Sequence, residues 1–270
     1  MLPSIEIFNV KLSSFLLFIC LGFLATFTFG WFQVRKEDLP RYFHIIILIL
    51  SGAFVGAKTY YIIQEPDLFL KKPIGVFFSL TGSGWFGGFL LCTLLMILYF
   101  KKKKLPFLHF ADIFVPAVPL GIIFGRIGCF LAGDACYGIP TDLPWGMSFP
   151  NGAAPTLLTV HPTQLYEALA NIAIFICLIR LKKFKLANGY VLAIYFILSS
   201  IARFFVEFIR LSPIVLWGLT APQIISICLF AIGNYLLFRL RYSHIHTASG
   251  FYELQTSGEL KAAKKMLLMR

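Results

Sequence analysis

Apolar residues in this chain do not alternate with polar ones. They run together in blocks of about twenty, separated by short polar breaks. A hydrocarbon layer about 30 Å thick is crossed by about 20 apolar residues in a helix, and seven blocks have that length: roughly 12–34, 43–63, 75–100, 110–132, 163–180, 188–208 and 219–241. The first is followed by Arg35, Lys36 and Arg41 rather than a small-residue cleavage site, so it reads as a span and not as a secretion signal. No solenoid-period repeat, low-complexity tract or long linker divides the chain into soluble units. The expected fold is all-α, a polytopic membrane helix bundle of seven transmembrane helices over residues 1–242, with a basic cytoplasmic tail at 243–270.

Composition agrees with that pattern. Of 270 residues, 59% are hydrophobic and 13% charged, about half the charged fraction of a soluble domain. The net charge of +12 is positional. Arg35, Lys36 and Arg41, then Lys101–Lys104, then Arg180, Lys182, Lys183 and Lys185, and finally the tail, all fall on one side of an alternating chain. Short loops rich in Lys and Arg are retained in the cytoplasm, which places the N-terminus outside and the C-terminus in the cytoplasm. The surplus positive charge follows from this topology, with attraction to anionic lipid as a consequence, and no nucleic-acid partner is implied.

The polar residues inside the spans carry the chemistry. At 1.5 Å of rise per residue, Lys58, Arg126, Glu167, Arg203 and Glu207 all come to the outer end of their helices, with Asp134 and Arg210 just beyond. An ionisable side chain at bilayer depth costs from about 2.5 kcal/mol upward, so it faces the bundle interior and finds a partner. In RFFVEFIR, residues 203–210, Arg203, Glu207 and Arg210 share one helix face. By itself the trio reads equally as a structural ion pair with a snorkelling terminal arginine. With the other charges at the same depth it reads as an anion site, and the anions of the outer leaflet are lipid phosphates. HPTQLYE, residues 161–167, opens the fifth span with His161 at the interface and Pro162 where a helix start tolerates proline. The loop 133–162 has no Lys or Arg, and its PWGMSFP stretch suits the membrane interface.

Cys20, Cys92, Cys177 and Cys228 lie within spans and read as packing residues. Cys129 and Cys136 lie near the outer face, where a disulfide or free thiols come ahead of a metal pair. No metal and no cofactor are expected.

GRIGCF, PWGMSF, HPTQLYE and RFFVEFIR, in this order, are similar to motifs of the prolipoprotein diacylglyceryl transferase family, and VGAKTYYI (55–62), GSGWFGG (82–88) and APQIIS (221–226) extend the resemblance over nearly the whole chain. The resemblance implies a seven-span enzyme of the bacterial inner membrane, with its active site toward the periplasm. It would move the diacylglyceryl group of phosphatidylglycerol onto the lipobox cysteine of a prolipoprotein, acting as a monomer. It also implies roles. Arg126, Arg203 and Arg210 would hold the phosphoglycerol head, helped by Gly128, Cys129, Gly133, Gln164, Tyr166 and Tyr61, while Asp134, Glu167, Glu207 and His161 are the candidate catalytic groups.

Departures from the family pattern are local. Cys129 stands where an asparagine is usual, Ala132 at a second small polar position, Phe86 for a histidine before the paired glycines, and Phe15 for a tyrosine. Cysteines at the arginine motif with an aromatic at the histidine position resemble one subset of the family. The competing class is a catalytically silent lipid-binding homologue or a transporter of an anionic or lipid substrate, but transporters commonly show internal repeats and midplane sites, and neither is visible here.

Overall fold

A computed structural model describes residues 2–7, 10–34, 36–71, 85–184 and 186–242. The tail expected at 243–270 and the segment 72–84, with the start of GSGWFGG, lie outside the described residues. The elements are β1 (Ser4–Ile7), β2 (Val10–Ser13), α1 (Ser14–Gln33), α2 (Leu39–Gln64), α3 (Pro66–Lys71), α4 (Trp85–Lys103), α5 (Phe107–Phe114) and α6 (Ala117–Ala132). After them come β3 (Met147–Phe149), β4 (Thr156–Val160), α7 (Thr163–Lys182), α8 (Tyr190–Glu207), β5 (Ile214–Leu216), β6 (Leu219–Thr220) and α9 (Ala221–Tyr242).

Among the described residues six helical stretches are long and apolar enough to cross a membrane: Ser14–Gln33, Leu39–Gln64, Phe107–Ala132, Thr163–Lys182, Tyr190–Glu207 and Ala221–Tyr242. They coincide with six of the seven expected spans. The remaining one corresponds to α4, which ends in Lys101, Lys102 and Lys103 and whose expected first ten residues fall in 72–84 and are not described. Many large apolar side chains on these helices are exposed, Phe32 at 80% among them, as lipid-facing surface requires. The fold is a helical membrane bundle with, among the described residues, three two-stranded antiparallel hairpins, β1–β2, β3–β4 and β5–β6. Strands of two to five residues in loops leave no periodic signal long enough to read from sequence.

Two compact units divide the chain. One takes the residues up to Phe29 and those from Ala111 onward; the other is Gly30–Phe110. In the second unit α2 packs on α4 through small residues. A side chain at Gly56 would strike the Gly87 carbonyl, and one at Gly52 would come within 3.0 Å of the Cys92 backbone. Small residues let membrane helices approach by backbone contact. Gly56→Val is therefore expected to cost about 1–3 kcal/mol through overpacking, read as a lower thermal midpoint of the detergent-solubilised protein.

In the first unit, α5 and α6 form one span interrupted at Val115–Pro116, where proline supplies no amide hydrogen. Asp112 accepts hydrogen bonds from Gly189 N at 2.7 Å and Leu192 N at 2.9 Å, so a carboxylate from a neighbouring helix satisfies the open amides at the start of α8. At the opposite end of α8 the connecting segments are tied together. Leu2 N donates to Leu131 O, Gly138 N to His161 O, and Ile139 N to Ile209 O. The β3–β4 loop rests there too, with Phe149 fully buried, edge-on to Phe130 and stacked on Tyr137.

Candidate functional site

α6 stops at Gly133, which adopts φ +61°, a left-handed conformation that costs glycine least. Its amide bonds back to Cys129 O and Phe130 O, and the amide of Asp134 also reaches Cys129 O. The chain thus folds back over the last turn of α6. The turn is closed from the other side by Gly152, whose Cα would lie 2.6 Å from a Cβ on Gly133, and by hydrogen bonds from Ala153 N to Ala132 O and Ala154 N to Gly133 O.

Six residues before the end of α6, Arg126 reaches Glu167 on the second turn of α7, Nε to Oε2 at 2.8 Å. Arg203, four residues before the end of α8, donates from Nη1 to Glu167 Oε1 at 2.8 Å. Arg210, just past α8, donates from Nη1 to the same oxygen at 2.9 Å. Three guanidiniums from three stretches of chain therefore close on one carboxylate. Arg203 also holds Glu207, one helical turn on, with Nη2 2.9 Å from Oε2; that contact is at ion-pair distance but is not aligned as a hydrogen bond. Glu167 is 8% and Glu207 0% exposed at the side chain, whereas Arg126 and Arg203 keep 22% and 29%. The carboxylates are the inner layer and the guanidiniums the outer.

Glu207 is fixed from below by the start of α9. Thr220 Oγ1 donates to Glu207 Oε1 at 3.2 Å, while Thr220 N donates to Gln223 Oε1 and Gln223 N to Thr220 Oγ1. This is a reciprocal capping box, and the same threonine that caps the helix holds the acid. Thr220→Val removes both functions; a lost cap costs about 0.5–2 kcal/mol. The expected result is a lower midpoint in thermal unfolding, with the helical content at room temperature unchanged by circular dichroism.

His161 and Tyr166 form a second polar group. Trp145 Nε1 donates to Tyr166 Oη at 2.8 Å, and Tyr166 Oη lies 3.1 Å from His161 Nδ1. Gln164 is fully buried, and neither its amide nitrogen nor its amide oxygen has a hydrogen-bond partner among the described residues. An unpartnered buried amide costs about 1–3 kcal/mol, and Gln164 has both a donor and an acceptor to offer a polar group.

Around the α6 turn, Cys129, Asp134 and Cys136 bring a ligand atom each within 4.8 Å of one another. Asp134 Oδ1 accepts from Cys136 N at 3.0 Å, and Thr163 Oγ1 donates to Cys136 O. The Cys136 thiol is pulled down to about 7 by its hydrogen bond with Cys129, against the effect of burial, and the Arg210 guanidinium beside it acts in the same direction.

Arg126, Glu167, Arg203, Glu207 and Arg210 thus meet as the sequence pattern suggests. Asp134, expected among the candidate catalytic groups, sits with the two cysteines. Gly128 is a packing position, since a Cβ there would lie 2.9 Å from Phe18 Cβ of α1. Lys58 and Tyr61 belong to the other unit, on α2, where Lys58 is buried and Tyr61 partly exposed. Trp145, Thr220 and Gln223 are additions. The Thr-x-x-Gln spacing ahead of the last apolar block was a readable signal for the last two; Trp145 had only its place in an aromatic loop.

A multi-pass helical membrane protein with a largely buried network of three arginines and two glutamates is the class these features define. The sequence model of the family described as prolipoprotein diacylglyceryl transferase matches residues 3–239, and the chain belongs to that family. It is 32% identical over 244 residues to the phosphatidylglycerol–prolipoprotein diacylglyceryl transferase of Finegoldia magna, covering 88% of this chain and 94% of that one. Similar relatives are phosphatidylglycerol–prolipoprotein diacylglyceryl transferase 2 of Clostridium perfringens, 35% identical with 87% and 93% covered, and the Campylobacter lari protein of the same activity name, 32% identical with 88% and 93% covered.

Proposed function

We propose that this protein transfers the diacylglyceryl group of phosphatidylglycerol to the lipobox cysteine of a prolipoprotein. The observation that carries the reading is the convergence of Arg126, Arg203 and Arg210 on Glu167. Three guanidiniums face two carboxylates, leaving one positive charge for the single negative charge of a phosphodiester. Guanidinium forks match phosphate oxygens in a way an ammonium does not.

In the reaction the acceptor thiol loses its proton, its sulfur bonds the glyceryl carbon, and the bond from that carbon to the phosphate oxygen breaks. The electron pair stays on that oxygen, and glycerol phosphate leaves. Charge that builds on the departing phosphate is met by donors already in place, which is where preorganised electrostatics lowers a barrier. Glu167 and Glu207 have their oxygens committed to guanidiniums and Thr220, so their part is to aim the arginines. Asp134 and His161 remain for the acceptor thiol. Gln164, whose amide has no hydrogen-bond partner among the described residues, suits a hydroxyl of the lipid head, with Tyr166 alongside.

The remaining features of the reading are a seventh span made by α4 with the residues before it, an external N-terminus, residence in the bacterial inner membrane with the site toward the periplasm, and action as a monomer. The distribution of Lys and Arg among the loops supports the topology. The test is reconstitution with phosphatidylglycerol labelled in its acyl chains and a peptide carrying a lipobox cysteine. Label is expected on the peptide sulfur, lost in Arg126→Ala. Lipid bound or moved between leaflets with no label on the peptide would replace the transferase by a lipid-binding or transport protein.

A further inference from the structure

We propose that Cys129, Asp134 and Cys136 form a site for a thiophilic divalent cation, zinc by its chemistry, whose open coordination position receives the acceptor thiol as a thiolate. The inference rests on the transferase reading for its last clause only. Its base is geometric. Two sulfurs and a carboxylate oxygen from three residues lie within 4.8 Å of one another. A tetrahedral zinc with bonds of about 2.3 Å to sulfur sets its sulfurs about 3.8 Å apart, which these side chains reach by small rotations.

The backbone is built for this convergence. The left-handed turn at Gly133 returns the chain over Cys129, the Cys136 amide fixes Asp134 through one oxygen, and Thr163 holds the Cys136 carbonyl. Two thiolates and a carboxylate around a divalent ion carry one net negative charge, and Arg210, which touches Cys136 as well as Glu167, offsets it. Among the described residues the group comprises three ligands. Structural zinc sites hold four protein ligands, whereas sites that act on a substrate hold three and leave the fourth place open.

The chemistry asked of that fourth place is activation of the acceptor thiol, with Asp134 taking part as a ligand. A thiol attacks carbon only as its thiolate. Coordination of the acceptor sulfur displaces its proton to solvent, the bound sulfur forms the bond to the glyceryl carbon, and the carbon–oxygen bond to phosphate breaks with its electron pair on the phosphate held by the arginines. No electron is gained or lost overall. The product thioether is neutral and a poorer ligand than the thiolate it replaces, so it leaves. Arg210 joins the two halves, one face on the cysteine cluster and the other on Glu167.

The experiment uses the full chain in detergent, thiols reduced and metal removed under anaerobic conditions, titrated with Co²⁺. One equivalent is expected to give the near-ultraviolet thiolate-to-cobalt charge-transfer band. Cys129→Ser and Cys136→Ser are expected to lose the band, and Asp134→Asn to weaken binding by more than about 100-fold, the upper range for loss of a partner outside the ligand set. Thermal midpoints taken alongside distinguish loss of a ligand from loss of the fold, and Arg126→Ala is expected to keep the band. A lipobox peptide should intensify it, and the same peptide with serine for cysteine should not. No saturable band, or a band unchanged in Cys136→Ser, overturns the site; a band indifferent to the cysteine peptide overturns the acceptor role. Transfer of label undiminished in metal-free protein sinks this inference and leaves the transferase standing, whereas cobalt bound as described without any transfer sinks the transferase reading and leaves the site.

Discussion

Arg203→Ala is expected to reduce label transfer to the lipobox peptide by about 1,000-fold, and Arg203→Lys to recover about 10-fold of that at most, given what one preorganised donor contributes. Arg203 is the residue that touches both acids, Glu167 through Nη1 and Glu207 near Nη2. A lysine places one point of charge at one of them and has no fork to span both. Removing the guanidinium also takes the ion-pair partner from Glu207, which is fully enclosed and, among the described residues, accepts a hydrogen bond from Thr220. Initial rates with labelled phosphatidylglycerol would measure the loss, with size-exclusion profiles confirming an intact bundle. A lysine variant turning over near the rate of the parent protein would mean that charge at this position suffices and the bidentate geometry does not matter.

The charged pattern within single helices was legible because helical spacing alone fixes it. Arg203 and Glu207 are one turn apart, and their pairing follows from i and i+4 neighbours sharing a face. That Arg126 and Glu167 belong to the same cluster was legible only as shared depth, since apolar blocks of known length fix how far along a span each residue lies but not which way its face turns. The partner of Arg210 was not legible. Its place on the Arg203 face suggested Glu207, yet its hydrogen bond goes to Glu167 on a different helix, because α8 ends at Glu207 and the residues beyond it no longer keep the helical face.

Asp134 illustrates a different limit. Its depth beside the other charges suggested a carboxylate in the arginine cluster, but one glycine in the left-handed region turns the chain back after α6 and brings Asp134 to the cysteines. Residue spacing measures distance only while the backbone stays regular. The same reversal explains why Cys129 and Cys136, seven positions apart, come together although neither end of the pair lies on a common helix face. The β3–β4 hairpin was invisible for a related reason: its loop is held on the α6 turn by Gly152 against Gly133 and by the amides of Ala153 and Ala154, contacts that residue spacing does not announce.

Glu167→Gln is expected to separate lipid binding from turnover. Glutamine keeps the size and one oxygen of the side chain but removes the charge on which Arg126, Arg203 and Arg210 are assembled. Breaking a buried pair by neutralising one partner costs about 3–5 kcal/mol, and the partial exposure of the three arginines places this case toward the lower end. A lower thermal midpoint is therefore expected. With the Glu167 charge gone and the three guanidiniums kept, the site becomes more positive, so the affinity for phosphatidylglycerol over a zwitterionic lipid should be kept or raised. Transfer should fall to background, because guanidiniums no longer aimed by a common anchor cannot meet the leaving oxygen as its charge develops. Adding Arg126→Gln to Glu167→Gln removes one uncompensated charge and should restore part of the midpoint without restoring transfer. Lipid binding assayed in nanodiscs of defined composition, beside the label assay, separates the two effects. Turnover retained in Glu167→Gln would show that the arginines are positioned by their own helices and that the carboxylate between them is dispensable.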